Sequence, residues 1–336
     1  MKKRLLAMLL AGAMCASLAA CGGNNGGTDD ASTDGGETSG EGYSIDVILK
    51  TTASEYWSYV QAGALSYMEK NPDVKVEVKG ASSETAYDEQ QNMIETDLNS
   101  GAYDAFVIAP LQADIVTTLI AGKEAPIIAV DTDIDAPEVK SFVGTGNEEA
   151  AAMGGKEAVA AAEAAGWTDI KAIAISGVQG DSTAMARLAG YQKGIEEAGG
   201  TFLADEIQYA DAVADKAATS MEAIIQNHPE GIAIIVCNND DMAMAAARAA
   251  KGNEAYANTI FVGFDGIQSA CNAILAGEET MSVAQEAFDM GYMAVEAAVK
   301  ALDGETLNEF IDSGCSVVTK DNAQERLDTL KGYLGE

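Results

Sequence analysis

Histidine and basic side chains are scarce in this sequence. Its 336 residues include one histidine, His228, and only 20 Lys+Arg against 53 Asp+Glu, which gives a formal net charge of −33. A single histidine excludes the HExxH metal motif, histidine-based catalytic triads and most zinc sites. A surface this acidic repels phosphate backbones, so we expect no nucleic-acid partner. The composition therefore points away from an enzyme and from a DNA- or RNA-binding protein.

Motifs for nucleotides and calcium are also missing. There is no Walker A sequence, and the glycine string at 144–149 has glutamate where a dinucleotide fingerprint needs a third small residue. The run 131–135 resembles half of an EF-hand loop, but Ala136 and Phe142 stand where that loop needs glycine and a bidentate acid. We therefore expect no cofactor and no metal site.

The first residues have the pattern of an export signal. Residues 2–4 are basic, and the mostly apolar stretch 5–20 is shorter than the roughly 20 residues that span a bilayer. The segment 18–21 resembles the bacterial lipobox, in which the cysteine is lipidated and becomes the mature N-terminus. We predict a lipoprotein signal peptide at 1–20 with Cys21 as the lipidated residue. A plain secretory signal that is cleaved nearby is the alternative.

A glycine-rich, acidic segment follows the signal. Residues 21–42 contain no aliphatic side chain larger than alanine and bear several carboxylates, so this segment cannot bury enough surface to fold. No later stretch of the sequence is long and apolar enough to predict a membrane span. We therefore predict a disordered tether at 21–42 and a protein held by its lipid anchor alone on the extracytoplasmic face of the cell membrane.

From Tyr43 onward, short β-branched runs alternate with longer helical windows. Strands that read as continuous apolar runs between helices indicate parallel sheets covered on both faces. Because this alternating part is too long for one comfortable sheet, we expect an α/β fold with two doubly wound lobes. The predicted strands are 44–50, 74–79, 104–109, 126–130, 170–176, 201–207, 232–237, 259–264 and 280–284.

Polar and aromatic side chains follow the ends of these predicted strands. In open parallel sheets, ligands bind outside the carboxyl ends of the strands, so these residues mark a candidate site. Carboxylates, amides and a guanidinium suit sugar hydroxyls, which both donate and accept hydrogen bonds. The set has no pair of nucleophile and base, so we expect binding without turnover. The residues are Lys50, Tyr56, Trp57, Asp131, Asp181, Arg187, 238–241, Asp265 and Gln285.

Several short segments occur in an order and spacing that one protein family shares. They are 56–57, 63–64, 130–131, 186–187, 190–191, 239–242, 262–266, 284–285 and 318–322. On these segments, the chain from about residue 43 to its end resembles the ribose/galactose-type periplasmic sugar-binding proteins of ABC transporters. The resemblance implies a type I periplasmic binding protein-like fold, with two lobes joined by three hinge strands. It places the N-terminal lobe at 43–145 plus 286–312 and the C-terminal lobe at 146–285 plus 313–336.

The resemblance also implies roles for individual residues. Tyr56 and Trp57 match an aromatic pair that sandwiches the sugar. Lys50 together with Asp131 resembles the related autoinducer-2 binders, although the rest of that site does not match. Asp181, in the loop that leads to Arg187, is a further candidate. The polar contacts that the family implies are Asp131, Arg187, Asn239, Asp265 and Gln285.

Three positions depart from the family pattern. Ser54 and Thr132, both secondary candidates for ligand contact, stand where ribose binders have asparagine and arginine. Ala212 stands where the second lobe usually has another aromatic side chain. We therefore expect free volume opposite Tyr56 and Trp57. Either a solute bulkier than a pentose fills that volume, such as a hexose, a polyol or a substituted sugar, or Tyr209 turns into it.

Purely structural roles remain open for the main candidates. Tyr56 and Trp57 have the spacing of a helix face that packs into the core. Arg187 has the spacing of a surface residue that pairs with a glutamate later in the same helix. Asp265, in a Phe-Asp-Gly turn, has the position of a residue that caps the following helix.

These observations predict a monomeric, lipid-anchored solute-binding protein. It would capture a sugar or polyol between two lobes and present it to the permease of an ABC importer. An extracytoplasmic sensor that presents its closed form to a receptor kinase is the alternative, and the sequence does not separate the two. The same fold serves sugar-responsive repressors, but a DNA-reading headpiece is absent and an export signal is present.

Overall fold

The computed structural model describes residues 42–336. The predictions for the signal peptide, for Cys21 and for nearly all of the tether lie outside the described residues. The α-helices are α1 (Glu55–Lys70), α2 (Tyr87–Ser100), α3 (Ala113–Ile120), α4 (Asn147–Ala164), α5 (Ser182–Glu197), α6 (Ala214–Asn227), α7 (Asp240–Ala250), α8 (Gln268–Ala276), α9 (Ala287–Leu302) and α10 (Ala323–Leu334). The strands are β1 (Ser44–Thr51), β2 (Lys75–Ala81), β3 (Ala105–Ile108), β4 (Ile127–Val130), β5 (Val139–Gly144), β6 (Lys171–Ser176), β7 (Thr201–Phe202), β8 (Gln208–Tyr209), β9 (Ile234–Cys237), β10 (Ile260–Asp265), β11 (Met281–Gln285), β12 (Phe310–Asp312) and β13 (Cys315–Val318).

Six strands form the first sheet, in the order β12-β5-β4-β3-β1-β2, and every neighbouring pair is parallel. Every residue of the central strands β3 and β4 is buried, because helices cover both faces of the sheet. Val47 and Leu49 of β1 pack on the face covered by α1 and α9. Ile48, between them, packs on the other face with Ile94 of α2 and Val116 of α3. Alternate side chains of one strand thus join two different hydrophobic clusters.

Seven strands form the second sheet. Its order is β13-β11-β10-β9-β6-β7, with β8 also paired to β6, and only β13 runs antiparallel to its neighbour. Val236 of β9 packs in a cluster with Tyr191 of α5, and the preceding Ile235 packs in another with Met221 of α6 and Met242 of α7. This sheet is therefore also sandwiched between two helical layers.

The chain passes between the two sheets three times: after β5, after β11 and after β12. Arg326 of α10 lies at the second crossing, where its guanidinium donates to the Gln285 carbonyl at 2.5 Å and to the Glu286 carboxylate at 2.6 Å. The predicted α/β architecture, with two parallel-sheet lobes joined by three connections, is confirmed. The residue boundaries of the lobes stay a prediction.

Close helix packing explains the glycines in two of the family segments. A Cβ on Gly63 of α1 would lie 1.9 Å from the Phe288 carbonyl oxygen on α9, and one on Gly190 of α5 would lie 2.1 Å from the Glu148 carbonyl oxygen on α4. In each lobe a glycine therefore lets two helix backbones approach each other closely. These glycines serve the packing of the lobes.

Three regions differ from the strands that the sequence predicts: β5, the stretch 201–207, and the last two strands, β12 and β13, which are not among the predicted strands. β5 was not among the predicted strands, because Lys140 is exposed and only part of the strand is buried. The predicted strand 201–207 is mostly not a strand: two residues form β7, and a 3₁₀ turn, Ala204–Glu206, follows without a buried residue. At 204–206 no residue is buried, and the predicted strand does not form there.

Candidate functional site

A cavity of about 370 Å³ lies between residues of the two lobes. It contains side chains that follow the carboxyl ends of strands from both sheets, which is where parallel sheets bind ligands. All seven main candidates line it, as do Lys50, Ser54, Asp181 and Ala212. Thr132 and Tyr209 do not. The seven main candidates are Tyr56, Trp57, Asp131, Arg187, Asn239, Asp265 and Gln285.

The aromatic pair lies in the first turn of α1. Ser54, in extended conformation, precedes the helix, and the rings of Tyr56 and Trp57 meet edge to face with centroids 5.1 Å apart. The Trp57 indole N–H donates to a Glu84 carboxylate oxygen at 2.8 Å, and the Tyr56 hydroxyl donates to Asp131 Oδ1 at 2.9 Å. Both rings are buried and also line the cavity, so core packing and ligand contact are compatible here.

Lys50 and Asp131 form an ion pair on the same wall. Lys50 Nζ lies 3.4 Å from Asp131 Oδ2, which also accepts a 2.9 Å hydrogen bond from the Thr132 hydroxyl. Burial lowers the pKa of Lys50, but the nearby carboxylates, Asp131 foremost, outweigh it, so the pKa of Lys50 is raised overall. Lys50 is therefore an ammonium donor at neutral pH. Thr132 supports Asp131 from behind instead of lining the cavity.

Arg187 of α5 is held on several sides. Its Nε donates to Asn147 Oδ1 and one terminal nitrogen donates to the Asn238 carbonyl, both at 2.7 Å. The guanidinium carbon lies 3.8 Å from the centroid of the Phe264 ring, and a terminal nitrogen lies 3.7 Å from Asp265 Oδ1. The surface interpretation of Arg187 is wrong, because the residue is buried. A guanidinium fixed in this way presents its remaining donors in a set direction.

Asp265 and Gln285 form one polar unit at the ends of β10 and β11. The Gln285 amide donates to Asp265 Oδ1 at 2.8 Å. Burial raises the pKa of Asp265 well above its usual range, although the Arg187 guanidinium opposes this shift. The capping interpretation is wrong, because α8 begins at Gln268 and receives no side-chain cap. Asp265 instead directs its Oδ1 to Gln285 and Arg187.

Asn239 has two roles in the structure. Its side-chain oxygen caps α7 by accepting from the Met242 amide at 2.9 Å, while its amide nitrogen lies 3.5 Å from the Ala212 carbonyl oxygen. The cap fixes the orientation of Asn239 where it meets the cavity. Tyr209, at 38% exposure, does not turn into the space beside Ala212. Of the two alternatives for the free volume predicted opposite the aromatic pair, the one in which Tyr209 fills it is not seen, and the bulkier solute stays a prediction.

Backbone strain is concentrated at this cavity. In the described part of the chain, the non-glycine residues with positive φ are Asp131, Asp211, Ala212 and Asp265, at 64°, 51°, 59° and 118°. All four line the cavity. Such conformations cost about 1–3 kcal/mol each and persist where the surroundings impose them, typically at functional sites.

The lobes also touch each other directly beside the cavity. The hydroxyls of Thr132 and Thr183 are 3.1 Å apart, and the Glu55 carboxylate of α1 accepts from the Ser269 hydroxyl of α8 at 2.5 Å and from its backbone amide at 3.2 Å. These contacts join the first lobe to the second. They hold the two walls of the cavity face to face.

Sequence reasoning missed several residues of the site. Glu84 follows β2 and gave no signal, and Asn147 follows β5, the strand that was not predicted. Thr183 contributes through a contact with the distant Thr132, and Asn238, already a candidate within 238–241, contributes through its backbone carbonyl. Among residues 42–336, no cluster of three or more metal-ligating His, Cys, Asp or Glu side chains occurs. None of the helices within that range has the length and apolar character needed to cross a membrane.

Comparison with known proteins adds to this geometry. The sequence profile described as "Periplasmic binding protein domain" matches residues 45–306, which is most of the chain. The chain belongs to the periplasmic binding protein family. The predicted resemblance is thus confirmed.

Relatives of this periplasmic binding protein include the D-allose-binding periplasmic protein of Escherichia coli (strain K12), 28% identical over 265 residues that cover 76% of this chain and 83% of the relative. The ribose import binding protein of Bacillus subtilis (strain 168) is 27% identical over 233 residues, 67% of this chain and 71% of the relative. A solved carbohydrate transporter solute binding protein from Agrobacterium radiobacter, in complex with D-arabinose, is 26% identical with a TM-score of 0.77, covering 86% of this chain and 98% of that one. These relatives are named as binding and import proteins, which agrees with the prediction of a protein that is not an enzyme.

Proposed function

We propose that this protein captures an uncharged sugar or polyol between its two lobes and delivers it to an ABC importer. The observation that carries the proposal is the pairing of two unlike walls across one cavity of about 370 Å³. Tyr56 and Trp57 offer apolar ring surface on one side, and Arg187, Asp265 and Gln285 offer fixed hydrogen-bonding groups on the other. A sugar ring has both kinds of surface, and each wall satisfies one of them.

The charge of the cavity favours an uncharged solute over an anionic one. Two cations, Lys50 and Arg187, line it, and each already lies beside an aspartate. An anionic sugar would be desolvated against a surplus of negative charge, which is unfavourable. The lining carboxylates are Glu84, Asp131, Asp181, Asp211, Asp241 and Asp265.

Closure of the two lobes is the proposed mechanism of capture. Each wall supplies only part of the hydrogen bonds and ring contacts, so a bound solute favours the arrangement in which both walls reach it. The permease of the importer would then recognise this closed arrangement. The relatives named as import binding proteins support import over the sensor alternative.

A thermal-shift panel tests the ligand class directly. Binding to the folded state alone adds about 2.7 kcal/mol of stability when the solute is at 100 times its Kd. We expect at least one of D-ribose, D-arabinose, D-allose and myo-inositol to raise the melting temperature, whereas glucuronate and ribose 5-phosphate leave it unchanged. Autoinducer-2 is included because of the Lys50–Asp131 pair. A shift with only the anionic compounds would contradict the proposal.

We also propose that Cys21 carries the lipid anchor of a monomeric protein on the extracytoplasmic face of the membrane. The support is the lipobox-like segment 18–21 and the glycine-rich segment after it. Mass spectrometry of the native protein should find a diacyl or triacyl N-terminus that begins at Cys21. The control, Cys21→Ser, should be unmodified and still bind solute. An unmodified Cys21 in the native protein would contradict this part.

A further inference from the structure

A buried carboxylate lies directly behind the Asp265 turn. Asp240, the first residue of α7, is fully buried and does not line the cavity. Its Oδ2 accepts a 3.0 Å hydrogen bond from the Ile267 backbone amide, and its Oδ1 accepts a 2.5 Å hydrogen bond from the Ser282 hydroxyl of β11. The sequence places Asp240 among the polar residues 238–241 that follow a predicted strand. The structure directs this carboxylate to a distant turn.

Ser282 links the same carboxylate to a second amide of the turn. Its oxygen accepts a 3.0 Å hydrogen bond from the Gly266 backbone amide while its hydroxyl donates to Asp240. The two amides that follow Asp265 are therefore both held by this pair of buried side chains. Asp265 and Gly266 have φ of 118° and 67°, a conformation that needs such support in a non-glycine residue.

Space for the carboxylate is provided by Gly263. A Cβ at Gly263 would lie 2.1 Å from Asp240 Oδ1 and 2.4 Å from Glu279 Oε1, so no side chain fits there. Glu279 is also buried, and neither of its carboxylate oxygens has a hydrogen-bond partner among the described residues. Two buried carboxyl groups that face the same backbone position do not both ionise readily. The polar cluster is thus built into the packing behind β10.

We propose that Asp240 and Ser282 are positioning residues for solute binding. They hold the turn at 265–267 so that the Asp265 carboxyl meets Gln285 and lies beside Arg187 at the cavity, although neither residue reaches the cavity itself. The direction of the Asp265 side chain follows from its backbone torsions, and these depend on the two held amides. The part of the proposal that concerns affinity rests on the proposed function.

Amide exchange in the ligand-free protein tests the structural step. Ser282→Ala removes the hydroxyl, so exchange of the Gly266 amide, followed by NMR, should accelerate at least about tenfold. Ser282→Thr keeps the hydroxyl and should restore protection. The matched control is Ser176→Ala, because Ser176 is buried in the same sheet and its hydroxyl has no hydrogen-bond partner among the described residues. Unchanged exchange in Ser282→Ala would overturn the proposal.

Calorimetry with D-ribose, D-allose and myo-inositol tests the consequence for binding. For each sugar that the wild type binds, Ser282→Ala should weaken affinity about 5- to 100-fold, and Ser282→Thr should restore it to within about threefold. Asp240→Asn offers one acceptor oxygen where two are needed and should weaken affinity as well. A fall in melting temperature without loss of affinity would overturn the positioning role. If the wild type binds none of the sugars, the proposed function fails, while amide exchange still decides the role of Ser282.

Discussion

The two walls of the cavity are built on different principles. On the N-terminal wall, the groups that face the cavity support one another: Tyr56 binds Asp131, and Asp131 binds Lys50. On the C-terminal wall, groups that do not line the cavity hold the polar groups, as when Asn147 accepts a hydrogen bond from Arg187. Ser282 and Asp240 fix the Asp265 turn in the same way. The first wall therefore supplies ring surface beside the paired Lys50 and Asp131, and the second supplies directed hydrogen bonds.

This difference implies an unequal division of the binding free energy. A ring surface tolerates small changes in the solute, whereas a fixed donor or acceptor without its partner incurs a desolvation penalty. We therefore expect substitutions on the C-terminal wall to reduce affinity more than those on the N-terminal wall. The following variants test that ranking, and the sugar is the best binder from the thermal-shift panel.

Arg187→Ala should have the largest effect. The change removes a fixed, charged donor and leaves Asn147, the Asn238 carbonyl and Asp265 without it. We expect a loss of about 2–4 kcal/mol, or roughly 30- to 1,000-fold in Kd by calorimetry. Arg248→Ala, on the same lobe but outside the cavity, is the control and should leave Kd unchanged. An unchanged Kd in Arg187→Ala would reverse the ranking of the walls.

Asp265→Gly should reduce affinity while it raises stability. Glycine adopts a φ of 118° without strain, and the change removes a buried carboxyl whose pKa burial raises. Affinity should fall about 5- to 150-fold, because a buried hydrogen-bonding group left without its partner costs about 1–3 kcal/mol. The melting temperature should rise. Asp211→Gly relieves similar strain, but Asp211 pairs with Lys216, so its affinity loss should be smaller. Equal losses would mean that strain, not hydrogen bonding, sets affinity.

Glu279→Gln tests whether the buried carboxyl group of Glu279, which lies behind the C-terminal wall, reduces the stability of the protein. Burial raises the pKa of Glu279 well above 4.5, so the folded state keeps a proton that the unfolded state releases. The free energy of unfolding therefore falls as pH rises from about 4.5 toward that raised pKa. In Glu279→Gln the free energy of unfolding should fall less over this pH range. Relative to the wild type, the variant should gain more stability at pH 8 than at pH 4.5, and the difference should be at least about 1.4 kcal/mol, the equivalent of one pKa unit.

The control for Glu279→Gln is its exposed neighbour. Lys251 lowers the pKa of Glu278, so Glu278→Gln should not produce a gain that grows with pH. Urea unfolding at several pH values measures both variants. If Glu279→Gln raises the free energy of unfolding by the same amount at all pH values, this would contradict the interpretation that the Glu279 carboxyl group is neutral in the folded protein.

Trp57→Phe should have the smallest effect on affinity. Phenylalanine keeps a ring on the N-terminal wall and loses only the indole hydrogen bond to Glu84, at about 0.5–1.5 kcal/mol or roughly 2- to 12-fold. Because Trp57 lines the cavity and Trp167 does not, Trp57→Phe should abolish most of the fluorescence change on binding, and Trp167→Phe should keep it. A larger affinity loss than in Asp265→Gly would show that the ring surface dominates.

Local sequence patterns predicted the residues that line the cavity well. Alternating strands and helices indicated parallel sheets, and the polar residues after strands indicated which edge would carry the cavity. Arg187, Asp265 and Gln285 could be found in this way because each follows a strong, buried strand. The family resemblance implies ligand-binding roles for these residues, and those roles stay a prediction.

The layers behind the site could not be predicted from local patterns. Asp240 contacts residues 27 and 42 positions away, so its neighbours in sequence indicate only a polar residue after a strand and not its role behind the cavity. Asn147 escaped notice because it follows β5, whose partly exposed residues do not read as a strand. The residues that support the site are brought together by long-range packing, which local patterns do not reveal. The candidate ligand contacts follow the ends of strands, which local patterns do reveal.

A crystal structure of the protein with its best sugar tests the central claim most directly. We predict one sugar in the cavity, with its ring against Trp57 and its hydroxyls hydrogen-bonded to Arg187 and Asp265 in the same molecule. The Asp265 turn should keep the conformation described here. A sugar bound elsewhere, or one that contacts only one wall, would contradict capture between the lobes.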